Sequence, residues 1–270
     1  MISKKQIILT GGAASIVVAL LLFPIGVIKQ EEKKDNTVHV PEKDTAHGEA
    51  QSAMHTVELP PAQRQEVDKL KKGQQAAGPS STAEKIGDVF ASATAYDSAI
   101  YYYKKAAEHR DNLSIKIKTA DAYYNLFGIT EGQDAKVAKA CKDILEEILT
   151  ITPNNMEVKA RLGYVTTLTS AAPMAGVGIL NEVLEKEPNN RTALLNLGLL
   201  GIRSRQFDKA ISRFERILSN DPDDQVARFY LAVCYKETDD LAKVRELVNT
   251  ITASNSDPVL ISESKKLLVE

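Results

Sequence analysis

The stretch Arg191–Asp224, RTALLNLGLLGIRSRQFDKAISRFERILSNDPDD, decides how the rest of the chain is read. Its first half runs Leu194-x-x-Leu197-Gly198-x-x-Gly201, spacing that sets these residues on one face of an α-helix. Its second half runs Phe207-x-x-Ala210-x-x-x-Phe214-x-x-Ile217, again helical, before Pro222 stops the chain from continuing as helix. Small residues such as Gly198 and Ala210 let two antiparallel helices approach closely, while Leu194, Leu197, Phe214 and Ile217 fill the space around them. The same corner recurs as Pro153-Asn154-Asn155, Pro188-Asn189-Asn190, Pro222-Asp223-Asp224 and Asp257-Pro258, with prolines 35, 34 and 36 residues apart. A fixed period of this length is the signature of a stacked repeat.

Working outward, residues 80–113 offer Ala83-x-x-Ile86-Gly87-x-x-Phe90 and Tyr96-x-x-Ala99-x-x-x-Tyr103-x-x-Ala106. Residues 114–155 offer Ile117-x-x-Ala120-Asp121-x-x-Tyr124 and Cys141-x-x-x-Leu145-x-x-Ile148, with about eight residues beyond the standard length, expected around Gly128–Asp134. Residues 156–190 carry Leu162-Gly163 and Gly176-x-x-x-Leu180-x-x-Val183, and residues 225–256 carry Arg228-x-x-Leu231-Ala232-x-x-Tyr235 and Val244-x-x-x-Val248-x-x-Ile251. This pattern of bulky-x-x-Leu-Gly, then Ala-x-x-x-Phe, then Pro resembles the tetratricopeptide repeat. One departure lies in the unit quoted first, where Gly201 stands in place of the usual tyrosine. The resemblance implies an all-α fold, a right-handed superhelix of about five helix-turn-helix repeats over 80–256. Residues 257–270, with Leu260, Ile261, Leu267 and Leu268, read as a capping helix over the last repeat's unsatisfied face.

Upstream the composition changes twice. After a short tail (1–6) with Lys4 and Lys5, residues 7–28 carry no charge. As a helix they would reach about 33 Å, enough to span a bilayer core of about 30 Å. A cleavable signal peptide would share the basic start, but the apolar run is longer than its usual core and no small-x-small site follows. The reading is an uncleaved transmembrane anchor, with the N-terminus inside and the repeats exported, across a bacterial-type inner membrane. Residues 29–79 mix charges of both signs with Pro41, Pro60, Pro61 and Pro79 and few large apolar residues, the composition of a disordered linker. A short helix over Ala62–Gln75 is expected, with only Val67 and Leu70 to pack. His39, His47 and His55 lie in this linker eight residues apart, too far for zinc spacing in an ordered frame.

The whole chain is close to neutral, with 34 Lys and Arg against 36 Asp and Glu, which removes the basic surplus of a phosphate-tracking nucleic-acid binder. Two cysteines, Cys141 and Cys234, are too few for a disulfide scaffold and sit at small-residue core positions. There is no nucleophile elbow, no His-Glu-x-x-His and no Walker loop, so neither an enzyme, a metal site nor a cofactor is expected. The function expected is protein binding. In the family, the first helices of the repeats line a concave groove that receives peptides or partner helices. Projection of those helices gives groove residues Lys118, Ala122, Asn125, Arg161, Tyr164, Leu195, Asn196, Leu199, Arg203, Phe229 and Val233. The last two repeats offer an apolar strip, which either binds an apolar segment or is covered by the C-terminal helix. Glu84 and Asp88 stand where carboxylate-binding members of the family carry cations, against that type of adaptor. The leading reading is a membrane-anchored scaffold or chaperone-like adaptor. The alternative is an assembly factor of the cytochrome c maturation type, holding an apoprotein segment.

Overall fold

A computed structural model describes residues 59–73, 78–254 and 257–269 of the chain. The expected anchor at 7–28, its tail, the linker up to residue 58 and the three linker histidines lie outside the described residues. No helix among the described residues is long and apolar enough to cross a membrane. Those residues form twelve α-helices and no strand. After α1 (Pro61–Lys72) come five antiparallel pairs: α2 (Pro79–Ser92) with α3 (Tyr96–Ala107), α4 (Leu113–Ile129) with α5 (Ala135–Ile151), α6 (Met156–Thr169) with α7 (Pro173–Lys186), α8 (Arg191–Arg203) with α9 (Phe207–Asn220), and α10 (Gln225–Glu237) with α11 (Leu241–Ala253). The final α12 (Pro258–Lys266) packs on α10 and α11.

The proline corners do two jobs. In the first three corners proline follows the end of one helix and the last residue caps the next. In the fourth, Asp257 is the cap and Pro258 opens the helix. Asn155 accepts the Val158 N–H at 3.1 Å, Asn190 the Ala193 N–H at 2.9 Å and Asp224 the Ala227 N–H at 2.9 Å. Each such side chain satisfies one of the orphan donors at a helix start. Asn112 does the same for Ile115 at 3.0 Å, although its corner lacks the proline. Within the pairs, four turns contain a non-glycine residue at positive φ: Thr94, Glu131, Arg205 and Asp239, at 60°, 50°, 56° and 60°.

Close helix approach follows from the glycines of the pattern. The Phe214 ring lies so near Gly198 that a Cβ built there would stand 2.5 Å from it, and Tyr103 crosses Gly87 in the same way. Between α6 and α7 the approach is backbone to backbone, since a Cβ on Gly176 would fall on the Gly163 carbonyl oxygen and on Thr167. The extra residues expected around Gly128–Asp134, as a longer turn or an extended helix, lengthen the helices: α4 and α5 have 17 residues each. A longer helix extends its own hydrogen-bond ladder, whereas a longer turn would leave backbone groups unpaired.

The short helix expected over Ala62–Gln75 is present, and the linker reading needs correction in that this helix packs on the array. Residues 61–72 form α1, whose Val67 is 4% exposed and packs with Ile86 and Val89 of α2, joined by Leu59, Leu70, Phe90 and Tyr102 at the margin. Gln63 donates to the Ser92 hydroxyl across the same contact at 3.2 Å. Two apolar residues are too few to fold α1 by itself. They suffice here because α2, at the start of the stack, presents an apolar face with no preceding repeat against it.

Candidate interaction surface

The first helices α2, α4, α6, α8 and α10 are tied to one another along one side by polar contacts from each repeat to the next. Lys118 of α4 bridges Glu84 and Asp88 of α2, each at 2.8 Å. Arg161 of α6 pairs with Asp121 of α4 and with Glu157 on its own helix. Thr192 of α8 donates to Glu157 at 2.8 Å, and Arg191 reaches the Asp224 cap of α10 at 2.5 Å. Partial burial opposes the charge on Arg161, yet the two carboxylates outweigh it and raise its pKa. Lys118 follows the same balance, with burial opposed by Asp88 and Glu84.

The inner side is also closed across a repeat. The Tyr124 hydroxyl of α4 donates to the Asn196 side-chain oxygen of α8 at 2.9 Å, although the residues lie 72 positions apart. Arg203 approaches Glu131 over the same gap at 3.4 Å. Between them Tyr164 meets the rings of Tyr124 and Phe127 edge-on, each at 6.2 Å. Arg161 lies over the Tyr124 ring at 5.4 Å. Burial pushes the Tyr164 phenol up to about 12 and lifts Tyr124 and Tyr230 well above the usual range. The Asn196 amide nitrogen and the Tyr230 hydroxyl are buried with no hydrogen-bond partner among the described residues.

This geometry redistributes the groove residues expected from sequence. Ala122, Tyr164, Leu195, Asn196, Leu199 and Phe229 are buried, none above 6% exposure, and so are not a ligand-facing surface. Leu195, Leu199 and Phe229 belong to one apolar core with Leu231, Tyr235 and Leu260. The apolar strip is therefore neither an open groove nor a surface roofed by α12 alone; packing between successive repeats consumes it. Lys118 and Arg161 are half-buried and already paired. Asn125 and Val233 are half-buried, Arg203 is exposed, and these three keep accessible surface on that side. Sequence reasoning missed Asp121, Glu131 and Glu157 as partners. Their signal was present, an acid on the same helical face as the cations of the next repeat, but only the superhelical turn shows which acid meets which cation.

With this stacking in view, comparison with known proteins is direct: a tetratricopeptide-repeat family model matches residues 201–261. Over that segment the chain is similar to the tetratricopeptide repeat. A mouse (Mus musculus) relative, interferon-induced protein with tetratricopeptide repeats 2, is 24% identical over 130 residues, which are 48% of this chain. The match spans only 25% of that relative's length. Among solved structures, YrrB, described as a TPR protein with an unusual peptide-binding site, aligns over 74% of this chain and 99% of its own, with TM-score 0.40 and 20% identity. MamA from Desulfovibrio magneticus RS-1 aligns over 74% of this chain and 100% of its own, with TM-score 0.43 and 15% identity.

Proposed function

We propose that the chain is a non-enzymatic scaffold or chaperone-like adaptor that holds a polypeptide partner on its repeat array. The observation that carries this reading is the serial stacking of helix pairs, which presents a long continuous side built from five first helices. Of the groove residues expected from sequence, Asn125, Arg203 and Val233 keep accessible surface without belonging to the polar ladder. Near the start of the array the carboxylates of Glu84 and Asp88 share a single cation, Lys118, so a partner there brings neutral or basic groups rather than a free carboxylate. Ile7–Ile28 anchors the array in an inner membrane with the repeats on the extracytoplasmic side. The cytochrome c maturation role draws support from no described contact.

Site-specific photo-crosslinking in cells tests the binding surface. A photoreactive residue at Asn125 or Val233 is expected to yield discrete protein adducts, whereas one at the exposed Glu185 of α7 is not. Adducts of equal yield at all three positions, or at none, would refute the assignment. The anchor has a separate test. The full chain is expected to stay with membranes through alkaline carbonate washing, and a chain lacking residues 7–28 to be released; release of both would remove the anchor.

A further inference from the structure

Beside the polar ladder lies a cavity whose lining, apart from Arg203, the ladder and the inner side do not use. It lies above α8, between α7 and α9, with a volume of about 480 Å³, inside the range of small-ligand pockets. Its floor is apolar, made by Val177, Leu197 and Leu200 around Gly201. Gly201 occupies the position that the repeat pattern fills with tyrosine, and its lack of a side chain lets α9 pack closely there, since a Cβ would stand 3.2 Å from the Ala210 Cβ. The rim is cationic: Arg203, Lys209 and Arg213 line it and no acidic residue does.

The three cations are only partly occupied. Arg213 donates to the Leu197 carbonyl at 3.0 Å and forms no ion pair among the described residues. Burial lowers its pKa, which marks a cation drawn from water without a carboxylate in return. Lys209 reaches only the Gln206 amide oxygen at 2.7 Å. Arg203 has Glu131 at 3.4 Å on its other side. The equivalent furrow two repeats earlier, above α4 between α3 and α5, shows that this charge pattern is not generic. That furrow, about 320 Å³, is lined by Asp111, Asp143 and Glu147 as well as Lys104 and Lys116, and Lys116 is paired to both Asp111 and Glu147.

We propose that the cavity between α7 and α9 is a second docking site, which takes an acidic segment of a polypeptide partner with a bulky apolar side chain in the floor above Gly201. Carboxylates flanking that side chain meet Arg213, Lys209 and Arg203. Charge complementarity selects the acid, and the apolar floor selects the side chain. A membrane surface fits less well. It requires a band of exposed apolar residues, whereas Met174, 73% exposed, is the single large apolar residue in that class on α7, α8 or α9. The site shares Arg203 with the inner side, whereas Lys209, Arg213 and the apolar floor belong to the cavity alone.

The test is fluorescence anisotropy of the full chain with the labelled hexapeptide Glu-Glu-Phe-Glu-Glu-Leu. Saturable binding that weakens with salt is expected. Arg213→Glu and Lys209→Glu should each weaken it by about tenfold or more, and replacement of the peptide's Glu by Gln, or of its Phe and Leu by Ala, should do the same. Lys209 is exposed, so Lys209→Glu keeps the fold even if Arg213→Glu does not. A Lys-for-Glu peptide is expected to bind the doubly reversed Lys209→Glu, Arg213→Glu chain better than the parent chain. Absence of peptide binding, or binding indifferent to these substitutions, overturns the proposal. So does tight binding to phosphatidylserine vesicles that Lys209→Glu abolishes while the peptide fails to bind.

Discussion

Gly198 and Phe214 are expected to behave as one unit, and the sign of a single methyl group tests it. A Cβ at Gly198 would stand 2.5 Å from the Phe214 ring. That ring is fully buried and stacked on Tyr230 with centroids 5.8 Å apart, so it has little room to retreat. Overpacking of this kind costs about 1–3 kcal/mol, and the better helix propensity of alanine returns about 1 kcal/mol. Gly198→Ala should therefore destabilise the array by up to about 2 kcal/mol. Phe214→Ala alone should cost about 3–5 kcal/mol, since Gly198 has no side chain to fill the space left behind. In that background the added methyl enters the vacated volume, and both effects turn favourable, by about 1 kcal/mol in total. The interaction energy of the cycle is then about 1–3 kcal/mol. Urea unfolding of the full chain followed by far-ultraviolet circular dichroism measures all four proteins, provided the slope with denaturant stays constant. If Gly198→Ala had the same effect in both backgrounds, the close crossing of α8 and α9 at this point would be refuted.

Three further outcomes follow from other parts of the molecule. Thr94 is exposed, β-branched and held at φ 60°, so Thr94→Gly should stabilise by about 1 kcal/mol in the same unfolding assay. Tyr230 carries a buried hydroxyl without a partner, and Tyr230→Phe should be neutral or stabilising by up to about 1 kcal/mol; a loss larger than that would mean the hydroxyl is bonded. Burial pushes the Cys141 and Cys234 thiols up to about 12 from an ordinary 9.0, and Tyr164 also to about 12. Above the ordinary values the unfolded chain sheds protons that the folded chain keeps, so stability present at lower pH is lost as pH climbs from about 9 toward 12. Thermal melts at about pH 8 and about pH 10.5 should show the lower Tm at the higher pH.

The repeating part of the fold was legible because its causes are local. Pro153, Pro188 and Pro222 follow helix ends, and Asn155, Asn190 and Asp224 cap the next helix through atoms three residues away. Gly198 opposite Phe214 is a contact within one repeat, readable from the spacing of small and large residues. The surface was less legible, because it depends on how far each repeat turns relative to the last. Helical periodicity put Tyr164, Asn196 and Leu199 on the face expected to form a groove. It could not show that α4 meets α8 and fills that face with its own side chains. The docking of α1 was hidden for a related reason: Val67 is a lone apolar residue until the unsatisfied face of α2 gives it a place. Gly201 was visible as a departure from the pattern, but the cavity above it depends on the separation of α7 and α9.

The closure of the inner side by repeats two and four organises everything else on that surface, and the Tyr124–Asn196 hydrogen bond tests it most directly. The measurement is a double-mutant cycle with Tyr124→Phe and Asn196→Leu, read by urea unfolding of the full chain. With the bond in place at 2.9 Å and both side chains buried, a favourable coupling of about 1 kcal/mol is expected. Strictly additive effects of the two substitutions would contradict it, and would mean that residues 72 positions apart do not meet.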